Sequence, residues 1–446
     1  MESRTDRPLI KRFATSPRVL PAIWAIYVLL RLAVLLVPVA PTSDAEWYVQ
    51  RASELATGQG YLDNSGAPTA FWPAGWPLVL SVLFRLTGPS LLAVGLFNLA
   101  SAVLIGWLTL LLGRRLFGSE AGARLGLLLL ACYPNAIAYV PLGLTEVFYT
   151  ALLVMGCWLV IERRSAGWPA VAGLITAGFV FGLAALVKAQ TLVVVPLLFA
   201  IDWLRAADRW RRLPQLVGQT VLLLTAAALV IVPWSLRNHT QLGHWIVVST
   251  NGGYNLLIGN NEDANGGYAE NSRAYVALMA RADLGEVERD AEAKRIAVDW
   301  ITHNPMQFLA LAPRKLAILW LPDGEAAWGY QAGAPSYPRF EPLYRAVRIA
   351  NQAYYAVLLL SSAAALVTMT LRRRAASLRW VDWWVLPWAM AAYPTLVAVL
   401  VFGQSRFHYP VMPFLCLASG WIMAEAWQAW AATRPAPSLV GRRARA

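Results

Sequence analysis

The sequence predicts an all-α integral membrane protein with about ten transmembrane helices, because its composition, its apolar segments and its charge placement agree. Of the 446 residues, 58% are hydrophobic and 14% are charged, whereas soluble domains are about 45–50% apolar and about 25% charged. The mean hydropathy of +0.49 also excludes an intrinsically disordered chain. The formal net charge of +13 indicates either a nucleic-acid partner or basic cytoplasmic loops, and the position of the charges decides between them.

Ten apolar segments are predicted to be transmembrane helices, each of which needs about 20 mostly apolar residues. They are 20–40, 90–112, 125–141, 146–161, 168–187, 190–204, 215–234, 346–371, 383–402 and 408–430. Two further apolar pieces, 76–87 and 305–321, are predicted to be juxtamembrane or re-entrant, because the first is short and the second carries charges at its centre. The first segment is too long for a signal-peptide core, so we expect an uncleaved helix inserted from the cytoplasm.

The basic residues cluster in the short segments that this topology places in the cytoplasm. These segments hold 22 of the 38 Lys and Arg residues, and they are 1–19, 113–124, 162–167, 202–214, 372–380 and 431–446. The proposed outer segment 235–345 instead holds ten basic and twelve acidic residues. This distribution satisfies the positive-inside rule with both termini cytoplasmic. Topology therefore explains the basic excess, and no nucleic-acid partner is predicted.

The chain is predicted to be a single polytopic membrane domain, 1–446, with two long outer loops, 41–89 and 235–345, that bear juxtamembrane helices. Because the cytoplasmic loops are short, chemistry is expected on the outer face. The three cysteines lie inside apolar runs without the spacing of a zinc site or a redox pair. No metal-ligating residues are predicted.

The first outer loop contains the first candidate catalytic acid. Ser43 and Glu46 match an S-x-x-E capping box, which predicts a short surface helix that starts at Asp44. Gly58 or Gly60 is expected to end this helix. Asp44 is either a first-turn acid favoured by the helix dipole or a general base at the membrane–water boundary. Side chains two apart on a helix diverge, so Asp44 and Glu46 are not expected to share a metal ion.

Ionisable residues at the outer boundary are the other candidates, and each has a structural alternative. Glu146 opens a predicted helix, where the dipole favours an acid, but an ionisable residue at membrane depth is also a functional candidate. Lys188 is either a snorkelling lysine or a cation for an anionic ligand. Arg406 and His408 either anchor the last helix at the interface or grip a phosphate. Arg31 is expected to face the bundle and pair internally, outside the active site.

The ordered motifs resemble the bacterial polytopic glycosyltransferases of the GT-C type, in particular the protein-mannosyltransferase-like and aminoarabinose-transferase-like lineages. The matching pieces are Ser43-Asp44…Tyr48, 68–77, Thr145-Glu146, 233–238, 251–261, Asn304-Pro305…Lys315…Trp320 and 406–410. They run along most of the chain, and their order together with the topology carries the resemblance. The resemblance implies a GT-C-like fold.

The resemblance also implies an enzyme, a hexosyl- or pentosyltransferase that moves a sugar from a polyprenyl-phosphate donor to a glycan, lipid or protein acceptor. The reaction is expected on the periplasmic or extracellular face of the bacterial inner membrane. Asp44 and Glu146 match the catalytic acids of the family. The expected substrate-binding residues are Glu46, Tyr48, Lys188, Arg237, Asn238, Arg406 and His408. No cofactor is assigned, and a divalent cation, Mg²⁺ or Mn²⁺, stays open.

Two other functions compete with sugar transfer. A transporter or flippase of lipids or sugars explains many crossings and buried cations, and a non-catalytic assembly subunit needs no converging acids and bases. Catalytic groups must reach one reacting centre. Transfer chemistry therefore predicts that Asp44, Glu146, Lys188 and Arg406 line one cavity on the outer face.

Overall fold

The computed structural model describes residues 9–163, 167–376 and 381–433, and the chain is mostly helical there. The helices are α1 (Leu9–Thr15), α2 (Val19–Val34), α3 (Asp44–Ala56), α4 (Gly75–Thr87), α5 (Leu91–Phe117), α6 (Glu120–Cys132), α7 (Pro134–Ala138), α8 (Glu146–Glu162), α9 (Trp168–Val187), α10 (Val194–Arg205), α11 (Arg209–Leu242), α12 (Gly252–Gly259), α13 (Arg273–Met279), α14 (Glu286–His303), α15 (Pro305–Trp320), α16 (Ala326–Gly333), α17 (Tyr337–Ala375), α18 (Leu386–Leu400) and α19 (Met412–Ala432). Short 3₁₀ helices precede α10, α18 and α19, at Ala189–Val193, Trp383–Val385 and Ser405–Val411. The described residues include no β-strand, only an isolated bridge between Leu62 and Pro68.

The chain is a multi-pass membrane protein. Six helical segments in the described ranges are long and apolar enough to cross a membrane, namely Leu91–Phe117, Trp168–Val187, Arg209–Leu242, Tyr337–Ala375, Trp383–Leu400 and Ser405–Ala432. The four other predicted crossings coincide with the shorter helices α2, α6 with α7, α8, and α10. The predicted segment 125–141 is divided after Cys132, because Tyr133 is extended and the residue before a proline disfavours the helical conformation.

Glycines let several helices of the bundle pack backbone against backbone. A Cβ atom on Gly178 of α9 would lie 2.4 Å from the carbonyl oxygen of Leu223 in α11. A Cβ atom on Gly420 of α19 would lie 2.2 Å from the backbone nitrogen of Gly126 in α6. Small residues at such crossings are typical of membrane helices, where packing replaces the hydrophobic effect as the driving force.

The buried Arg31 of α2 donates hydrogen bonds to the C-terminal end of α6. Its guanidinium donates to the carbonyl oxygens of Leu130 and Ala131 at 3.0 and 3.1 Å. In a continuous helix these oxygens would accept from residues 134 and 135. Pro134 has no N–H, and the N–H of Asn135 donates to a side chain of α17 instead. Arg31 therefore faces the bundle as expected, but its partners are backbone carbonyls rather than a side-chain acid.

The two outer segments dock onto each other through Glu286, the first residue of α14. Its carboxylate accepts hydrogen bonds from the Thr69 hydroxyl, from the N–H of Ala70 at 2.9 Å and from the Thr250 hydroxyl at 2.6 Å. One acid thus joins the first outer loop to the second. This contact fixes the two segments relative to each other.

Candidate active site

Helix α3 begins at Asp44 as predicted, but the predicted capping box does not form. Ser43 has a φ of 53° and a ψ of −125°, and its side chain makes no capping hydrogen bond. Its hydroxyl instead lies 3.4 Å from a carboxylate oxygen of Asp44, because the left-handed backbone turns it away from the free amides of the first turn. Glu46 is exposed and has no side-chain partner among the described residues. Glu46 therefore does not line the site, contrary to expectation.

Asp44 forms an ion pair with Arg406, which is 362 residues away along the chain. The guanidinium donates to the Asp44 carboxylate at 2.6 Å. Arg406 also donates to the side chain of Gln404 at 3.2 Å. Both members keep some exposure, 16% for the Asp44 side chain and 24% for that of Arg406. The pair is thus held in place and still open to a ligand.

Glu146 and Lys188 form a second ion pair close to the first. The Lys188 ammonium donates to the Glu146 carboxylate at 3.1 Å, and Glu146 is buried at the start of α8. Arg406 also interacts electrostatically with Glu146. The buried Tyr48 lies within electrostatic range of Asp44, Glu146 and Arg406. Two acids and two cations that lie far apart in the sequence therefore meet at one centre.

An open cleft lies beside this centre. Asp44 and Arg406 line it, together with Tyr139 directly after α7, Glu325 directly before α16, and Trp328 in α16. Glu146 and Lys188, which were expected in the same cavity, are not among the residues that line it. The Glu325 carboxylate accepts from the Ser405 hydroxyl at 2.6 Å. The walls thus combine acids, a cation and aromatic rings, a set that suits an anionic head group and a polar acceptor.

His408 was expected to grip a phosphate with Arg406, but it does not line the cleft. The ring is fully buried, and its nitrogens lie 2.7 Å from the Leu319 carbonyl oxygen and 3.0 Å from an Asp323 carboxylate oxygen. The 3₁₀ helix turns the side chains at 406 and 408 to different sides, so only Arg406 reaches the cleft.

Arg237 and Asn238 were also expected to bind the head group, and the structure uses them elsewhere. Arg237 donates to the carbonyl oxygens of Thr69 and Tyr61 at 2.7 and 2.6 Å. Asn238 is buried and donates to the Ile246 carbonyl at 3.2 Å. The Tyr61 carbonyl also accepts from the Thr69 N–H at 3.3 Å, and the side chains of α11 add hydrogen bonds to these loop carbonyls.

The acids near the cleft do not fit a divalent cation. In the described ranges no group of three or more His, Cys, Asp or Glu residues converges as metal ligands would. Asp44 contacts Arg406, Glu146 contacts Lys188, and Glu46 points away from both. Asp44 and Glu146 are thus each already paired with a cationic side chain.

The arrangement has relatives among known proteins. A family model described as dolichyl-phosphate-mannose-protein mannosyltransferase matches residues 72–236. The apo oligosaccharyltransferase of Archaeoglobus fulgidus is similar in structure, with a TM-score of 0.57 and 13% identity over 93% of this chain and 51% of that chain. The chain has the GT-C glycosyltransferase fold.

Other solved structures with similarity to this GT-C chain carry ligands. The oligosaccharyltransferase AglB from Archaeoglobus fulgidus, in complex with an inhibitory peptide and a dolichol-phosphate, has a TM-score of 0.53 and 13% identity over 92% of this chain and 50% of that chain. ArnT from Cupriavidus metallidurans bound to undecaprenyl phosphate has a TM-score of 0.43 and 15% identity over 92% and 79% of the two chains. The chain spans about half the length of the oligosaccharyltransferases. No curated protein sequence matches it.

The sequence analysis did not predict two acids in or near the cleft. Glu325 lies in the cleft wall, and Asp323 contacts the buried ring of His408. Both belong to the stretch Asp323-Gly324-Glu325, which directly follows the apolar helix α15. Two acids at the end of an apolar segment on the outer face were a usable signal. Tyr139 gave no signal, because nothing distinguishes it from other aromatic residues at the membrane interface.

Proposed function

We propose that the chain is a glycosyltransferase that moves a sugar from a polyprenyl-phosphate donor to an acceptor on the outer face of the inner membrane. The observation that carries the proposal is the ion pair of Asp44 and Arg406 in the wall of an open cleft. A carboxylate that takes a proton and a guanidinium that binds a phosphate are both needed at the centre of such a transfer. The dolichol-phosphate in the AglB complex and the description of the matching family support the donor class.

In the proposed reaction the donor phosphate replaces the Asp44 carboxylate as the ion-pair partner of Arg406. Guanidinium groups bind phosphate oxygens through paired N–H donors, so donor binding leaves the Asp44 carboxylate free beside the sugar. Asp44 then accepts the proton of the acceptor hydroxyl while the hydroxyl oxygen forms a bond to the anomeric carbon. The bond from that carbon to the phosphate oxygen breaks, and its electron pair leaves with the lipid phosphate. This single displacement inverts the anomeric configuration, and Arg406 stabilises the charge on the departing phosphate.

Glu146 and Lys188 support this exchange. The Lys188 ammonium compensates the buried Glu146 carboxylate at 3.1 Å, because a buried acid without a partner is strongly destabilising. Glu146 in turn attracts Arg406 electrostatically. In our proposal this attraction keeps the guanidinium near the cleft after Asp44 has released it. The buried Tyr48 lies within electrostatic range of Asp44, Glu146 and Arg406.

The acceptor in this proposal is a glycan, lipid or protein that presents a hydroxyl group from the outer side. The short, basic inner segments support a topology with both termini in the cytoplasm. The mechanism assigns each step to side chains of this chain, and no step passes through a metal ion. Bacterial membranes supply the polyprenyl-phosphate donor and the surrounding lipid.

Sugar transfer from defined polyprenyl-phosphate donors tests the proposal. Membranes that contain the wild type should transfer radiolabelled sugar from at least one donor, and Asp44→Asn should lower the rate about 10²–10⁴-fold, as removal of a general base does. Asp299→Asn is the matched control, because Asp299 also pairs with an arginine at 2.8 Å but lies on α14, away from the cleft. Equal transfer by wild type and Asp44→Asn removes Asp44 from its role. Movement of the lipid across the membrane without any transfer would identify a flippase instead.

A further inference from the structure

We infer that His408 and Asp323 are positioning residues, which form a buried imidazolium–carboxylate pair that holds Arg406 and Glu325 in the cleft. The inference rests on the proposed function, because it takes Arg406 as the group that binds the donor phosphate. Neither His408 nor Asp323 touches the cleft itself. They act through the two segments that carry the cleft residues.

The hydrogen bonds of His408 require a doubly protonated ring. Nδ1 lies 2.7 Å from the carbonyl oxygen of Leu319, and Nε2 lies 3.0 Å from a carboxylate oxygen of Asp323. Both partners are acceptors, whereas a neutral imidazole carries one N–H. Only the imidazolium donates to both. The rings of Trp320 and Tyr355 stack on either side of it, with centroids 5.5 and 4.8 Å away, and fix the plane of the ring.

Three hydrogen bonds besides the contact with His408 hold the Asp323 carboxylate in place. Its carboxylate accepts from the Tyr133 hydroxyl at 2.7 Å, from the Asn135 amide at 2.7 Å and from the Asn351 amide at 2.8 Å. Burial raises the pKa of Asp323, but the hydrogen bonds and the charge of His408 outweigh burial and leave that pKa below its usual value. The carboxylate is therefore ionised and anchored to the break between α6 and α7 and to α17.

Two parallel contacts connect this pair to the cleft. His408 contacts Asp323, and Ser405 donates to Glu325 at 2.6 Å. Residues three apart in a 3₁₀ helix lie on the same face, so Ser405 and His408 bind the 323–325 segment side by side. Arg406 lies between them in sequence and is turned toward Asp44. Loss of the His408 contact leaves Arg406 attached to this segment by the Ser405 hydroxyl alone.

The test compares His408→Gln and Asp323→Asn with wild type as purified full-length protein in nanodiscs. Binding of undecaprenyl phosphate is measured at pH 7, and ¹⁵N NMR of histidine-labelled protein reports the protonation of the ring nitrogens. The chain has four histidines, and the His408→Gln spectrum assigns the His408 signals. Ser419→Ala is the control, because it removes a buried hydrogen bond to Leu358 without touching either segment.

We expect both ring nitrogens of His408 to be protonated at pH 7 in the wild type. His408→Gln and Asp323→Asn should raise the dissociation constant for undecaprenyl phosphate about 10-fold, as loss of a residue that orients a binding group does. Ser419→Ala should leave it unchanged. In Asp323→Asn the ¹⁵N signals of the His408 ring should move, because Nε2 loses the carboxylate that it contacts. A pair that only stabilises the fold would lower the melting temperature and leave the affinity of the folded protein for undecaprenyl phosphate unchanged.

A neutral His408 ring at pH 7, or folded variants with wild-type affinity for undecaprenyl phosphate, would overturn the inference. If either variant does not fold, Tyr133→Phe takes its place, because it removes one hydrogen bond from Asp323 and should weaken binding in the same direction by a smaller factor. Wild-type affinity in Tyr133→Phe also overturns the inference. A wild type that binds undecaprenyl phosphate and shows the imidazolium, but transfers no sugar from any donor, would refute the proposed function and leave the inference standing.

Discussion

At the scale of single residues, the site consists of acids that are each neutralised by a cation. Asp44 has Arg406 at 2.6 Å and Glu146 has Lys188 at 3.1 Å. Sequence patterns indicated all four residues, because charges on the outer side of a positive-inside topology need an explanation. The patterns did not indicate the pairing, which joins positions 362 and 42 residues apart. Only the packing of α3, α8 and the end of α9 against the last 3₁₀ helix determines it.

In the proposed reaction the donor phosphate replaces Asp44 as the partner of Arg406. Loss of the Asp44 carboxylate should therefore raise the affinity for the donor lipid while it lowers the rate of sugar transfer. Asp44→Asn should bind undecaprenyl phosphate about 3- to 5-fold more tightly than wild type, because the phosphate no longer competes with a partly exposed ion pair worth about 1 kcal/mol. Arg406→Gln should bind it at least about 10-fold more weakly. Titration calorimetry in nanodiscs measures both constants. Weaker binding by Asp44→Asn would contradict the exchange, since Asp44 would then be a ligand of the donor rather than its competitor.

Lys315, in the outer segment, predicts a pH dependence of stability. It is buried, and it donates to the Asn260 side chain at 2.8 Å and to the Val399 carbonyl at 3.0 Å. Burial lowers the pKa of Lys315 to about 8 from its ordinary 10.5. Between these values the unfolded chain binds more protons than the folded chain. The free energy of unfolding should therefore rise with pH, by up to about 1.4 kcal/mol per pH unit.

Thermal unfolding in detergent between pH 7 and pH 10 measures this effect of Lys315. The difference in melting temperature between wild type and Lys315→Met should shift in favour of the wild type above pH 8. The comparison removes the contribution of other titrating groups, which both proteins share. A difference that stays constant across the range would show that Lys315 keeps its ordinary proton affinity in the folded protein.

At the scale of elements, hydropathy and proline positions predicted where helices lie better than how they end. Helix α3 begins at Asp44 and ends two residues before Gly58, as the sequence indicates. The predicted capping box at its start does not form, because Ser43 has a positive φ and its side chain makes no capping hydrogen bond. The division of the 125–141 segment at Pro134 was not predicted either. The residues on both sides of the break are apolar, so a hydropathy average over the segment does not detect it.

The break between α6 and α7 predicts that Arg31 is a stability residue. Arg31→Met leaves two buried carbonyl oxygens, those of Leu130 and Ala131, without donors. Each unsatisfied group costs about 1–3 kcal/mol, so unfolding in detergent should occur at a clearly lower temperature. Arg348→Met, on an exposed part of α17, should change the melting temperature little. Equal melting of Arg31→Met and the control would show that water or a rearranged helix end supplies the missing donors.

At the scale of the whole molecule, the composition predicted a polytopic membrane protein, and the fold bears this out. The count of about ten crossings stays a prediction, because six helices meet the criteria of length and hydropathy in the described ranges. The contacts that close the cleft were beyond prediction. Asp323 and His408 lie 85 residues apart in the sequence, and Glu286 ties together loops more than 200 residues apart. A single sequence carries no signal for such long-range contacts, since each residue alone looks like an ordinary polar residue at the surface.

The placement of basic residues predicts which side of the membrane carries the cleft. Ala291 lies on α14 in the proposed outer segment, and Ala207 lies in the proposed inner segment 202–214; both are exposed. Each is changed to cysteine in a chain whose three native cysteines, Cys132, Cys157 and Cys416, are replaced by alanine. A membrane-impermeant maleimide should label Ala291→Cys in intact spheroplasts and Ala207→Cys only after lysis, because the positive-inside rule retains the basic 202–214 segment in the cytoplasm. The opposite pattern would turn the cleft toward the cytoplasm. Asp44 would then have to act on cytoplasmic acceptors, so this labelling decides the sidedness of the proposed reaction before any substrate is identified.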